Sequence, residues 1–457
     1  MPRPNLLLLH TDQQRWDALG AAGNDEIHTP NLDRLAGGGV SFSRYFVNAP
    51  VCMPSRASYL TGQYPSQLRQ YSNGIPLPEG TETLATMLGG RGYHTANLGK
   101  LHFLPHANRD HRERHPSYGF DHLEISDEPG CYEDAYRAWV RRRAPDQLGD
   151  VSVGLPPATG TWQSVMGDDD ISHPDERFPK RPVPFAADAD LTHTAFVAER
   201  TIEYLREHRE DRFCCVTGFY SPHSPWVVPQ RFLDIYDPEA FDIPDYPPEA
   251  DRPEGRFTEA ERRRGRHGYY AMVSEVDYHV GRILDEIDEL GLRENTLVAF
   301  TSDHGELLGE HCRYGKGWPC YDSIARVPLL LRWPGEVPAG ETDDGIAEAV
   351  DLLPTLLDAA GVQAPPHLLG ESLLGDREGR SSALTEAGQG KALRTDRFRY
   401  VRARDGEEHL YDIEADPREY EDLADERPDR VAAMRGRLLD RLLAVDAGAE
   451  RDRTWAY

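Results

Sequence analysis

Lysine is nearly missing from this chain. Four occur in 457 residues, at positions 100, 180, 316 and 391, among 51 basic side chains. Arginine carries the remaining positive charge, and a guanidinium cannot replace an ammonium wherever a compact, deprotonatable cation is needed. Positive charge as a whole is also short: 78 acidic residues leave a formal net charge of −27. That balance excludes the concentrated basic surface of a nucleic-acid binder and favours solubility. Long apolar runs are absent too. "NLLLL" at residues 5–9 is far too short to span a membrane, and it lacks the basic flank and small-residue cleavage site of a secretory leader. The expectation is a cytoplasmic protein with no membrane or nucleic-acid partner. The six cysteines, at 52, 131, 214, 215, 312 and 320, match no paired zinc-ligand spacing, which predicts a reduced chain.

What is present is an alternation of apolar strand-like runs and helical patterns, the grammar of an α/β sheet covered on both faces. "NLLLL" reads as a buried strand. "TPNLDRLAGGG" follows as a helix with Thr29 at its N-cap and Pro30 at its first position. "YHTANLG", "RFCCVTGF", "TLVAFTS" and "VPLLLRWP" read as further strands, and "LTHTAFVAERTIEYLREHR" and "GYYAMVSEVDYHVGRILDEIDELG" as long helices. Between about 105 and 190 the pattern gives way to Pro, Asp, Arg and Gly, which predicts long loops around a site. After residue 365 the character changes to antiparallel strands closed by the helix "RPDRVAAMRGRLLDRLLAV". The expected organisation is a catalytic domain over 1–365 and a small α+β unit over 366–457.

In open α/β sheets, ligands bind beyond the carboxyl ends of the strands. Four predicted strands end in polar groups: Asp12 and Gln13 in "HTDQQ"; Lys100 and His102 in "GKLH"; His223 in "YSPHSPW"; Asp303, His304 and Lys316 in "SDHGELLGEHCRYGKG". Taken singly, an aspartate after a strand is as readily a helix cap. Together, the carboxylate, amide and imidazole groups of Asp12, Gln13, Asp303 and His304 suit one divalent cation, Ca²⁺ or Mg²⁺ by their oxygens and Mn²⁺ by the imidazole. Cys52 opens the helix "PSRASYL", where backbone N–H groups favour an anion, and Arg56 lies one turn on. Lys100 and His102, two apart, would project to one side of an extended backbone. Lys180 and Lys391 fall in no motif.

These residues resemble a known family. "CMPSRASYLTGQYP" is similar to the sulfatase signature, Cys-x-Pro-Ser-Arg followed by Leu-Thr-Gly. "PNLLLLHTDQQ", "GYHTANLGKLH", "SPHSPW" and "TSDHGELLGEH" resemble the family's other blocks in the family's order. The resemblance implies the alkaline phosphatase superfamily fold, a large mixed sheet between helices with a small C-terminal domain. It implies that a maturation enzyme oxidises Cys52 to formylglycine, whose hydrated aldehyde attacks sulfur with one hydroxyl and releases sulfate through the other. It also implies that Asp12, Gln13, Asp303 and His304 hold the metal, with Ca²⁺ expected ahead of Mn²⁺ or Mg²⁺. Arg56 would steady the diol, and Lys100, His102, His223 and Lys316 would contact the sulfate. His223 or Lys316 would protonate the leaving oxygen, and His102 would assist breakdown of the intermediate. Asn73 would line the pocket wall, and His311 would be a loop histidine.

The resemblance departs from many arylsulfatases at Gln13 and His304, where those enzymes carry Asp and Asn. That pair resembles phosphonate monoester hydrolases, choline sulfatases and some carbohydrate sulfatases, while the Lys100–His102 pair points back to sulfatases. The expected function is hydrolysis of a sulfated small molecule or carbohydrate. The alternatives are a phosphonate monoester or phosphodiester hydrolase on the same core and, further off, a metal-binding homologue without catalysis.

Overall fold

A computed structural model describes residues 3–106, 109–111, 113–154, 159–167, 171–174, 176, 179–250, 255–375, 377 and 379–450. Parts of the 105–190 stretch and the last seven residues of the expected C-terminal unit thus lie outside the described residues.

The main sheet has eight strands: β1 (Asn5–Thr11), β2 (Val40–Phe42), β3 (His94–Gly99), β4 (His122–Ile125), β5 (Phe213–Gly218), β6 (Thr296–Ser302), β7 (Leu329–Arg332) and β8 (Glu341–Asp343). Their spatial order is β8-β2-β7-β6-β1-β5-β3-β4. The block β6-β1-β5-β3-β4 is parallel, and β7 runs antiparallel to both β6 and β2, so the sheet is mixed, as expected. The leucine run explains β1's central place. Leu6 and Leu8 join a core on one face, with Ala57 and Leu60 of helix α2 (Cys52–Thr61). Leu7 and Leu9 join the other, with Leu32 and Leu35 of helix α1 (Pro30–Gly37). A strand covered on both faces has no polar side to present, so its sequence need not alternate. Each leucine buried this way stabilises the fold by about 1.5–3 kcal/mol.

Two expectations need correction. The long helix now labelled α5 (Glu259–Glu289) begins about nine residues before "GYYAM". Its start is a capping box, with Thr258 accepting from Glu261 N and the Glu261 side chain accepting from Thr258 N. The first turns are rich in arginine and glutamate and carry no large apolar side chain, so no apolar stripe marked them. The 105–190 stretch is also less irregular than expected. It contains β4 and the helix α3 (Ala135–Arg143), capped by Asp134 and buried through Tyr136, Trp139 and Val140. Helix α4 (His193–Glu207) then leads into β5.

The C-terminal unit is a meander, β9 (Ala383–Ala387), β10 (Gly390–Arg394), β11 (Phe398–Ala403) and β12 (Glu408–Asp412), packed against helix α6 (Pro428–Glu450). Val431, Met434 and Leu438 of that helix share a core with Leu384, Leu393, Tyr400 and Leu410, and also with Tyr64 from beside α2. The buried Glu348 takes Arg380 and Arg441 as ion partners, tying the meander and its helix to the larger unit. All six cysteines are buried, and none is in a disulfide. No helix among the described residues is long and apolar enough to cross a membrane.

Candidate functional site

Strand register builds the site. Thr11 and Ser302 are paired neighbours at the ends of the parallel strands β1 and β6, so the residues after them, Asp12 and Asp303, emerge side by side. One strand further out, β5 and β3 end at Gly218 and Gly99, which also pair. A Cβ at Gly218 would sit 2.1 Å from the carbonyl oxygen of Lys100, so glycine is what lets the chain carrying Lys100 turn back over the sheet.

Arg56, fully buried, joins the two carboxylates. Its Nε donates to Asp303 Oδ2 (2.7 Å) and its Nη2 to Asp12 Oδ2 (3.1 Å). Nη1 donates to the Lys100 carbonyl (3.0 Å). Both Oδ2 atoms are thereby occupied, and both Oδ1 atoms face a common centre. Asp303 Oδ1 is 3.4 Å from His304 Nε2, and Asp12 Oδ1 is 3.7 Å from it. Cys52 Sγ lies 3.3 Å from His304 Nε2 and 3.8 Å from Asp12 Oδ1. His304 donates from Nδ1 to the Gly305 carbonyl (2.9 Å), which leaves Nε2 as the nitrogen with a free lone pair. Burial lowers the pKa of His304 to about 4. One ligand atom from each of Asp12, Cys52, Asp303 and His304 falls within 4.8 Å of the others.

Gln13 joins through a constrained backbone. Its φ is +73°, held at one end by its N–H on Asp303 Oδ1 (3.0 Å) and at the other by the Tyr269 hydroxyl on its carbonyl (2.7 Å). Its amide Nε2 donates to Glu306 Oε2, which leaves the amide oxygen as its remaining ligand atom. Glu306 is itself fixed, since Oε1 accepts from the N–H groups of Leu308 (3.0 Å) and Gly315. Sequence reasoning missed Glu306, although it stands two residues past His304.

Two ammonium groups flank the centre. Lys316 Nζ is 2.7 Å from Cys52 Sγ and 3.7 Å from Asp12 Oδ1. Lys100 Nζ is 2.9 Å from Asp12 Oδ2. Burial pushes the Asp12 carboxyl upward, but Lys100 and then Lys316 outweigh it and hold the group well below its usual range. Burial, with Asp12 beside it, raises the Cys52 thiol to about 11.

The histidines differ. His102 is not on extended backbone as expected: β3 ends at Gly99, and His102 has φ +54°. Asp127 Oδ1 holds this turn by accepting from the N–H groups of Leu101 (3.0 Å) and His102 (2.9 Å). The His102 ring lies tilted against that of His106, 4.0 Å between centroids, and neither ring nitrogen has a hydrogen-bond partner among the described residues. His223 donates from Nδ1 to the Ser224 carbonyl (2.5 Å), so its Nε2 is unprotonated in the neutral ring. Burial, and Lys316 nearby, hold His223 well below its ordinary pKa. His311 lies between Tyr321 and Tyr420, 3.7 and 4.3 Å from their ring centroids, and is not one of the four residues whose ligand atoms cluster. Asn73 Oδ1 accepts from Met53 N (3.1 Å) and so caps the helix that begins at Cys52, a tertiary contact no local pattern signals.

A cavity of about 300 Å³ opens above this centre, lined by Gln13, His223, Trp226, Tyr314, Lys316 and Lys180. Lys180, which no motif claimed, is thus a wall residue. A larger cavity of about 480 Å³ lies behind the 308–310 turn and is lined by none of the cluster residues.

The model of the family described as Sulfatase matches residues 4–362. An arylsulfatase of Clostridium perfringens is 29% identical over 98% of this chain and 96% of its own length. A choline-sulfatase of Rhizobium meliloti is 28% identical over 93% of this chain and 83% of its own. Among solved structures, a phosphonate monoester hydrolase of Agrobacterium radiobacter superposes with a TM-score of 0.78 at 28% identity, covering 98% of this chain and 96% of that one.

Proposed function

Because the chain belongs to the sulfatase family, with the alkaline phosphatase superfamily fold, and is a sulfuric ester hydrolase, we propose that it cleaves its ester at a divalent-metal centre. Asp12, Gln13, Asp303 and His304 would hold the ion, and Cys52, oxidised to formylglycine by a maturation enzyme, would supply the nucleophile. The observation that carries this reading is the convergence of both Oδ1 atoms, His304 Nε2 and Cys52 on one point.

The donor set fits the ion. Carboxylate and amide oxygens with one imidazole suit Ca²⁺, Mn²⁺ or Mg²⁺, and no thiolate set competes for zinc. When bound, the cation would supply positive charge that lowers the pKa of a hydroxyl at position 52 and neutralises the ester oxygens. The protein's own groups do the rest. Arg56 fixes both carboxylates by their outer oxygens, so it acts on the ligands as well as beside position 52. Lys100 and Lys316 stand where negative charge develops on a tetrahedral oxyanion. His102, with two unpartnered ring nitrogens, has capacity to receive sulfate oxygens.

Lys316 is favoured over His223 as the acid for the leaving oxygen. It lines the cavity that would seat the alcohol part, and Cys52 and Asp12, outweighing burial, keep its ammonium protonated. His223 could donate from Nε2 only as an imidazolium, which its burial and Lys316 disfavour.

A second reading, phosphonate monoester hydrolysis, is favoured by the Gln13–His304 pair, in which Gln13 takes one carboxylate out of the ligand set, and by the likeness to the Agrobacterium radiobacter enzyme. Enzyme produced with a formylglycine-generating partner, loaded with Ca²⁺ or Mn²⁺, should be tested on an aryl sulfate, an aryl phosphonate monoester and a phosphodiester. The sulfate should give the highest kcat/KM; a higher value for the phosphonate would overturn the sulfatase reading. The substrate class is a sulfated small molecule or carbohydrate, sized to the cavity.

A further inference from the structure

Lys180 is the one lysine on the cavity wall that the reaction does not use. Its ammonium stands over two aromatic faces, 4.8 Å from the Phe257 centroid and 5.4 Å from that of Tyr314. Such faces orient a cation without neutralising it. Among the described residues Lys180 is exposed and forms no ion pair within 4 Å. The carboxylates nearest to serving it are committed elsewhere. Glu306, on the same wall, already accepts from Gln13, Leu308 and Gly315. Glu261, whose charge Lys180 reaches, accepts from the N–H and hydroxyl of Thr258.

The wall also carries Pro179, Trp226 and Tyr314, flat apolar surfaces suited to an aryl or sugar ring. With about 300 Å³, the cavity is at the small end of ligand sites, so a ring seated there with its sulfate toward Lys316 presents its other substituents to Lys180. We infer that Lys180 recognises a second anionic group, a carboxylate or a further sulfate, on the alcohol part of the substrate. This rests on the ester-hydrolase reading above and narrows its substrate class to dianionic esters. An ammonium with no ion-pair partner among the described residues, in a chain that carries only four lysines, is matched by a ligand that brings a close counter-charge with it.

The test compares 4-nitrophenyl sulfate with its ring-carboxylated analogue in the wild type and in Lys180→Ala, Lys180→Arg and Lys180→Glu. The readout is the ratio of kcat/KM, carboxylated over uncharged. It should fall about fivefold in Lys180→Ala, as loss of a partly exposed ion pair of about 1 kcal/mol does, with the change in KM. It should stay within about twofold of wild type in Lys180→Arg and fall further in Lys180→Glu, since the sign of charge decides it. An unchanged ratio in all three variants, or an equal loss on both substrates, would show that Lys180 only braces Phe257 and Tyr314, and would overturn the inference. The same pair made as phenylphosphonate esters keeps the two claims separate. Turnover in that series alone would overturn the sulfatase reading, while the ratio would still report on Lys180.

Discussion

Replacing Glu306 by glutamine should weaken metal binding while leaving the fold intact. In the native site Glu306 accepts from two backbone N–H groups through Oε1 and from the Gln13 amide through Oε2. Glutamine keeps the first pair of bonds by directing its own oxygen to them. Its NH₂ then faces the NH₂ of Gln13, two donors with no acceptor between them. Gln13 must turn over, which points its NH₂ at the cation site and withdraws the oxygen. A buried donor left without an acceptor costs about 1–3 kcal/mol, and loss of a partner that orients a metal ligand typically costs 10–100-fold in affinity. Calorimetric titration of the chelator-stripped protein with Ca²⁺ or Mn²⁺ should therefore give a Kd raised about 10–100-fold in Glu306→Gln. The metal-free melting temperature should change little, because shape and the backbone bonds persist. The double variant Gln13→Glu with Glu306→Gln restores a donor–acceptor pair and a ligand oxygen, and should recover most of the affinity. A Kd within twofold of wild type in Glu306→Gln would refute Gln13 as an oriented ligand.

Three further outcomes are expected. Cys52→Ala should abolish turnover, and peptide mass spectrometry of active enzyme should find residue 52 as the aldehyde; fully active protein with only thiol at that position would contradict the proposal. Lys316→Arg and Lys100→Arg should each lower kcat by on the order of 10²-fold, whereas Lys391→Arg, whose ammonium pairs with Glu386, should be near wild type; similar values for all three would remove the lysines from the mechanism. Acid should destabilise the fold from about pH 6.5 downward, because His193 and His279 are buried neutral with pKa values lowered to about 3. Between about pH 6.5 and 3 the unfolded chain binds protons that the native one refuses, so each histidine removes about 1.4 kcal/mol per pH unit as pH falls. Urea unfolding across that range should show a flatter slope in His193→Gln with His279→Gln, and an unchanged slope would reject this account.

Much of the architecture was legible because the elements that build it are short, apolar and covered on both faces. "NLLLL", "FCCVTGF" and "TLVAFTS" have no other use for that composition, and each became a parallel strand of the central sheet. The start of the 31-residue helix at Glu259 was not legible, since its first turns are arginines exposed to solvent or stacked on tyrosines such as Tyr246. Nor was the helix over Ala135–Arg143, where three arginines close a segment whose buried residues are Tyr136, Arg137, Trp139 and Val140. In both cases tertiary packing, rather than a repeating stripe, supplies the stabilisation.

The candidate site divides in the same way, and the division has a physical origin. Asp12 and Asp303 follow directly on strands whose ends are in register, so a reading that finds the strands finds the carboxylates. Asn73 and Lys180 reach their places through loops, and their partners, Met53 N, Phe257 and Tyr314, are remote in sequence. Arg56 belongs to both classes. Its position in the motif was visible, but its contacts were not: one guanidinium on α2 touches the ends of β1, β6 and β3 through Asp12, Asp303 and the Lys100 carbonyl. A lysine's three donors radiate from a single nitrogen and could not span those three acceptors as the planar guanidinium does. The helix that presents Cys52 is therefore fixed to the same two carboxylates proposed to hold the ion. Cys52 and the two carboxylates cannot move apart without breaking a fully buried ion pair, which typically costs about 3–5 kcal/mol.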